Sequence, residues 1–68
     1  MVGLVVYYIR HPEWGRFLGV CMGCAVFEDF EIDLPPSSFC CSEKALEVLE
    51  GFDNPELLER CFIEQGVL

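Results

Sequence analysis

The hydrophobic positions in the first half of the chain follow the pattern of β-strands. Residues 2–9 are rich in β-branched and aromatic side chains, and their apolar residues fall on both faces of the predicted strand. His11–Gly15 contains a proline, which fixes φ, and a glycine, which tolerates positive φ, so a turn is expected there. Two further strands are predicted at residues 16–21 and 24–30, joined at Met22-Gly23. The alternative is one long strand kinked at a glycine, which is disfavoured because it would overrun its partner.

The second half shows helical periodicity with defined ends. Ser42 predicts the N-cap of a first helix that runs to about Glu50. Asn54 followed by Pro55 predicts the start of a second helix, and Gly66 predicts its end. At about 100° per residue, each helix has an apolar side and an acidic side. The predicted apolar sides comprise Ala45, Leu46, Val48, Leu49 and Phe52 in the first helix and Leu57, Leu58, Cys61 and Phe62 in the second.

Between the two halves, residues 28–34 alternate acidic and apolar side chains. This pattern predicts that the third strand continues with one acidic face until Pro35-Pro36 ends it. The expected fold is a single α+β domain over residues 1–68, with a three-stranded antiparallel sheet in the N-terminal half followed by two α-helices packed on one face. Two short helices cover one face only, so we expect either that a second copy or a partner covers the other face of the first strand, or that part of that face is exposed and adhesive.

Charge divides the chain in the same place. Residues 1–27 carry a formal balance of about +1 and residues 28–68 about −9, within a net charge of −8. Such a surface repels nucleic acid and anionic membranes and attracts basic surfaces. The apolar run Val2–Ile9 is far shorter than the roughly 18 residues that a membrane span needs. It also lacks the basic n-region of a signal peptide, so we expect a cytoplasmic protein whose five cysteines are reduced.

Cys21-Met22-Gly23-Cys24 is the most motif-like spacing in the chain. A redox pair requires its first thiolate at a helix N-terminus, whereas the flanking residues here favour strands. A zinc site would need further ligands from Cys40, Cys41, Cys61 or His11, none of which forms a second CxxC pair. We therefore expect the cysteines to be small apolar core residues, with no metal and no cofactor.

The remaining residues give no catalytic signature. His11 precedes a proline and is expected to be an exposed turn residue, because a domain of this size has little room for a cleft, a base and an orienting group. Gly19 and Gly23 do not form a phosphate-binding loop, and the acids at 28–33 lack the central glycine of a calcium loop. The aromatic residues, including Trp14, lack the basic groove of single-strand binders, so they are expected in the core or a dimer face. We predict that the protein is not an enzyme.

The acidic side chains form the candidate partner-binding surface. Two interpretations remain open: the acids only keep a small hydrophobic domain in solution, or they mimic a nucleic-acid backbone. Helical carboxylates at i+4 and i+7 stand about 6 and 10 Å from the carboxylate at i along the axis. When several such rows combine, the spacing of their charges approaches that of nucleic-acid phosphates, about 3.4 Å along each strand. The candidate residues are Glu28, Asp29, Glu31, Asp33, Glu43, Glu47, Glu50, Asp53, Glu56, Glu59 and Glu64, with Ile63, Phe30 and Ile32 as apolar anchors.

Taken together, these features resemble the small acidic proteins that phages encode against bacterial defence, above all the anti-CRISPR proteins. The resemblance is one of class: a short chain, one α+β domain, no enzyme motif, strong negative charge and no secretion signal. It implies a monomer or homodimer in the bacterial cytoplasm that binds a basic subunit of a CRISPR effector complex and blocks recognition of target DNA. Neither nucleic acid nor membrane would be a direct partner. The alternative is a small structural or adaptor module, zinc-stabilised through its cysteines, whose acids only solvate it.

Overall fold

A four-stranded antiparallel sheet and two α-helices make up the described part of the chain, residues 3–67 of a computed structural model. Val2, at the start of the predicted first strand, lies outside these residues. The sheet has the strand order β3-β2-β1-β4. The elements are β1 (Val5–His11), β2 (Gly15–Cys21), β3 (Cys24–Phe27), α1 (Ser42–Glu50), α2 (Pro55–Arg60) and β4 (Phe62–Val67).

The predicted three-stranded sheet is wrong, although the α+β class is confirmed. The second helix does not run to Gly66: it ends at Arg60, and the next residues form β4. This strand pairs with β1 along its length, from Val5↔Val67 to Arg10↔Phe62. This pairing gives hydrogen-bond partners to the backbone N–H and C=O groups along one edge of β1. The periodicity of the C-terminal segment depends on nearby residues only, so it does not indicate pairing with a distant strand.

The β2–β3 hairpin follows the prediction at its turn. Met22 and Gly23 connect the strands with φ values of 52° and 80°, as a tight two-residue hairpin turn requires. β3 is shorter than expected and ends at Phe27. A bulge between Phe17 and Gly19 shifts the register of the hairpin.

The segment that leads from β3 to α1 passes between β1 and β2, because these two strands pair with each other only next to their turn. Ser37 bonds to β2 twice, donating its backbone N–H to the Phe17 carbonyl at 3.0 Å and its hydroxyl to the Leu18 carbonyl at 2.6 Å. Phe39 and Tyr7 exchange a pair of backbone hydrogen bonds of 2.8 and 2.9 Å. The connection therefore acts as a short bridge within the sheet and fixes the position from which α1 begins.

Both helices pack on one face of the sheet, as predicted. The buried cluster on this face comprises Ile9, Phe17, Phe27, Ala45, Leu49, Leu57 and Cys61. In α1, only Ala45 and Leu49 of the predicted apolar side are buried, while Leu46 and Val48 are exposed. The start of α2 matches the prediction, because the Asn54 side chain accepts a hydrogen bond from the Glu56 N–H at 3.0 Å.

The second face of β1 is covered within the single chain. Val6 and Tyr8 alternate with Ile9 along the strand, and all three are buried. The Tyr8 ring lies against Gly66 of β4, and the Arg16 guanidinium sits 4.2 Å from the ring centroid. These side chains need no second copy for their burial, contrary to the expectation from the sequence.

Candidate functional site

The acidic ridge, defined as Glu28, Asp29, Glu31 and Asp33, lies on irregular chain rather than on the expected strand. Its first two residues lie in a 3₁₀ turn, Glu28–Phe30, and Glu31 follows in the left-handed conformation. Two bonds hold this turn to the β1–β2 hairpin: the Glu28 carboxylate accepts the Arg16 backbone N–H at 2.8 Å, and the Asp29 N–H donates to the Trp14 carbonyl at 3.0 Å. All four acids are exposed.

The α1 stripe, defined as Glu43, Glu47 and Glu50, lies as predicted on an exposed side of α1. With a rise of 1.5 Å per residue, its second and third carboxylates follow the first at about 6 and 10 Å along the helix axis. Leu46 and Val48 of the same helix are also exposed, by 47% and 37%. The outer surface of α1 therefore combines carboxylates with apolar side chains.

Three further predicted acids extend this surface around the start of α2. Asp53 lies in the turn between the helices, and Glu56 and Glu59 lie on α2 itself; all three are exposed. Glu56 stands in the first helical turn, where the positive end of the helix dipole favours a carboxylate. The ridge, the α1 stripe and these residues together account for ten of the eleven predicted acids.

The eleventh acid, Glu64, does not belong to this surface. It lies on β4 rather than on a helix, and its two carboxylate oxygens accept hydrogen bonds from Arg10 Nη1 at 3.0 Å and Arg16 Nε at 2.8 Å. The Arg16 hydrogen bond and the neighbouring charge of Arg10 lower the pKa of Glu64 below its usual value. Ile63, the predicted exposed anchor, is also on β4, where it is half-buried and packs against the core.

Ion pairing leaves the described chain with a strongly acidic exterior. Arg10, Arg16 and Arg60 each pair with a carboxylate, which leaves Lys44 as the one cation of residues 3–67 outside an ion pair. Arg60 binds Glu13 at 2.6 Å and, through this hydrogen bond, lowers the pKa of that carboxyl. Ten of the twelve acids remain outside these three ion pairs. The excess negative charge is thus concentrated on the ridge and the helices.

An apolar cleft of about 560 Å³ opens between the β2–β3 hairpin and the turn that joins the helices. Trp14, Phe30 and Phe52 line it, with their rings close to other aromatic side chains of the core. Asp53 and Cys24 are also part of its lining. Of the residues predicted from the sequence to bind a partner, only Asp53 and Phe30 line the cleft, because its walls come from distant segments.

The five thiols do not gather into one site. Cys21, Cys24 and Cys40 are exposed and Cys41 is half-buried, so the expectation of core thiols is wrong for the first three. Cys61 is buried as expected, and this burial raises its pKa. Among residues 3–67, no three side chains of histidine, cysteine, aspartate or glutamate stand close enough together to hold a metal ion.

His11 is buried, contrary to its predicted exposure in the turn. Its ring stacks on Trp14 with centroids 4.0 Å apart, and its Nδ1 accepts the backbone N–H groups of Glu13 and Trp14 at 3.1 and 3.2 Å. The residue thus organises the β1–β2 turn and has its Nδ1 occupied by backbone donors.

Comparisons with known proteins add no relative: no family model, curated protein or solved structure matches the chain. Within residues 3–67, neither helix has the length and apolar character that crossing a membrane requires.

Proposed function

We propose that this protein is a small acidic inhibitor that binds a basic, nucleic-acid-binding surface of a partner protein. The observation that carries the proposal is the imbalance of free charge. Three of the four cations are held in intramolecular ion pairs, whereas ten acids are not. The exposed charge is therefore nearly all of one sign, and complementary charge speeds association and restricts the choice of partner.

The exposed apolar side chains among the acids favour docking to a protein over solvation alone. Leu46 and Val48 lie on α1 with the acidic stripe, and Phe30 lies within the ridge. Acids that only maintain solubility need no such neighbours, whereas interfaces combine charged residues with buried apolar anchors. In this proposal, Phe30 keeps the anchoring role predicted from the sequence, and Leu46 and Val48 take the role predicted for Ile63.

The resemblance in class to anti-CRISPR proteins directs the proposal to a bacterial partner. The inhibitor would act in the cytoplasm of the host cell on a DNA-binding subunit of a CRISPR effector complex. Its carboxylates would occupy lysine and arginine side chains that otherwise contact DNA phosphates. No group-transfer step is needed, because occupancy of the site is sufficient to block target recognition.

The test measures binding of labelled target DNA to a panel of purified, guide-loaded CRISPR effector complexes, with and without this protein. We expect competition by the wild type that weakens as NaCl is raised. The variant E43Q/E47Q/E50Q should weaken binding about tenfold, since three interfacial charges at roughly 0.5 kcal/mol each are lost.

The matched control is L4K/Q65K/V67K, which changes the net charge equally but at exposed positions outside the helices and the ridge. It should bind much more tightly than the α1 variant. If both variants bind equally, net charge rather than the α1 stripe governs the interaction. If no effector complex binds the wild type, the proposed partner class is wrong.

A further inference from the structure

The β2–β3 hairpin brings two exposed thiols directly opposite each other. Cys21 ends β2, Cys24 begins β3, and the two are register partners across the Met22-Gly23 turn. Both cysteines are exposed, and Met22 at the tip is 97% exposed. The pair is therefore open to a reagent in solution.

We propose that Cys21 and Cys24 form a reversible disulfide that closes this hairpin. Opposed residues in antiparallel strands have α-carbons about 4.5–5.5 Å apart, and disulfides span about 4.4–6.8 Å. The fold thus places the thiols within bonding reach, with only a local movement of the strand ends needed to close the bond. The strand context argued against a redox pair at a helix N-terminus. It does not argue against a disulfide between opposed residues of two strands, which is a different arrangement.

Strain and exposure make this disulfide easy to reduce. β-Carbons of opposed residues stand about 4.5–5.5 Å apart, whereas a disulfide holds them at about 3.5–4.5 Å. Closing the bond must draw the ends of the strands together. Exposed or strained disulfides are the readily reduced, regulatory ones. Cys24 also lines the apolar cleft, so oxidation changes one wall of that cleft.

The oxidant is a low-molecular-weight disulfide such as glutathione disulfide. A thiolate of the pair attacks one sulfur of the oxidant, whose S–S bond breaks and releases one glutathione thiolate. The second cysteine thiolate then attacks the resulting mixed disulfide and releases the other glutathione. The protein loses two electrons and two protons, and the oxidant becomes two thiols.

The experiment treats the reduced full-length protein with glutathione disulfide in the presence of a chelator. We expect the thiols of Cys21 and Cys24 to be lost together, with a crosslink between them found by peptide mapping and no glutathione retained on either. Excess reduced glutathione should restore both thiols. Stable glutathione adducts without a crosslink, or a crosslink that involves Cys40 or Cys41, would overturn the proposal.

Three variants test whether the fold, rather than the closeness of the two cysteines in the sequence, positions the pair. C21S should retain glutathione on Cys24 as a stable mixed disulfide, whereas C40S should form the crosslink as the wild type does. G23V places a side chain where φ is +80°, which strains the turn. It should lower the equilibrium constant for disulfide formation with glutathione about tenfold. An unchanged constant would mean that the hairpin does not position the pair.

Discussion

A single side chain, His11, organises the first hairpin from inside the protein. The residue is 2% exposed, and its ring stacks on Trp14 and meets Phe27 in an edge-to-face contact. Its Nδ1 satisfies two backbone N–H groups that the turn leaves without strand partners. The sequence suggested that His11 is an exposed turn residue. It is buried instead, because its ring forms an aromatic cluster with side chains from β3 and the turn.

Replacing His11 should therefore destabilise the fold, and the loss should depend on whether the new side chain can accept hydrogen bonds from the turn. We expect H11A to lower the free energy of unfolding by about 3 kcal/mol, since it removes ring packing and orphans two N–H groups. H11N should lose about half as much, because its side-chain oxygen can accept the same donors. Urea unfolding followed by circular dichroism measures both. Equal losses would show that the acceptor is unimportant.

Glu64 is the residue whose placement most changes the charge of the surface. It holds Arg10 and Arg16 together on the sheet, so its removal leaves two cations without a carboxylate. We expect E64Q to lower the free energy of unfolding by about 1–2 kcal/mol at neutral pH. E59Q is the matched control: Glu59 is exposed and belongs to none of the three ion pairs, so its effect should stay within about 0.5 kcal/mol.

The contribution of Glu64 should also depend on pH in a defined direction. Its pKa in the folded protein lies below the usual value of 4.5 because of Arg16 and Arg10. The stabilisation is therefore complete above about pH 4.5 and is lost as the pH falls through the lowered pKa. Urea titrations of wild type and E64Q should converge in acid. A stability difference that persisted unchanged at about pH 3 would contradict this assignment.

At the scale of elements, local signals placed the start of α2 well and the last strand badly. The predicted N-cap of α1 is wrong by one residue, because Ser42 is its first helical residue and the cysteine before it provides no side-chain cap. The start of α2 is set by Asn54 and Pro55, which act on adjacent backbone groups. The end of α2 is set by pairing between β4 and β1, which are more than fifty residues apart. The glycine that suggested a helix end, Gly66, instead makes room for the Tyr8 ring.

Filling this space should weaken the pairing of β4 with β1. A β-carbon at Gly66 would lie 2.7 Å from Cε2 of Tyr8, so G66A forces the ring to move. We expect a loss of about 1–3 kcal/mol in the free energy of unfolding. Q65A alters an exposed neighbour on the same strand and should be close to neutral. Thermal unfolding of both variants checks the comparison; equal stability of G66A and wild type would contradict the close approach.

At the scale of the whole molecule, ion pairing leaves the unpaired charge of residues 3–67 almost entirely negative. Net charge far from zero destabilises a compact state through self-repulsion, and salt screens that repulsion over about 10 Å at 0.1 M. We expect the melting temperature to rise by about 4 °C between roughly 10 and 150 mM NaCl. The variant E43Q/E47Q/E50Q should show a smaller rise. A melting temperature that fell with salt would show that the attractive ion pairs dominate instead.

The sequence by itself determined the α+β class, the first hairpin turns, the start of α2 and the excess of acid, because each depends on composition or on residues near in the chain. Tertiary structure alone decided that the C-terminal segment is a strand, that Glu64 joins two arginines and that His11 is buried. It also decided that distant aromatic residues line a cleft. These outcomes depend on which segments become neighbours, and burial and pairing between distant segments outweigh local preference.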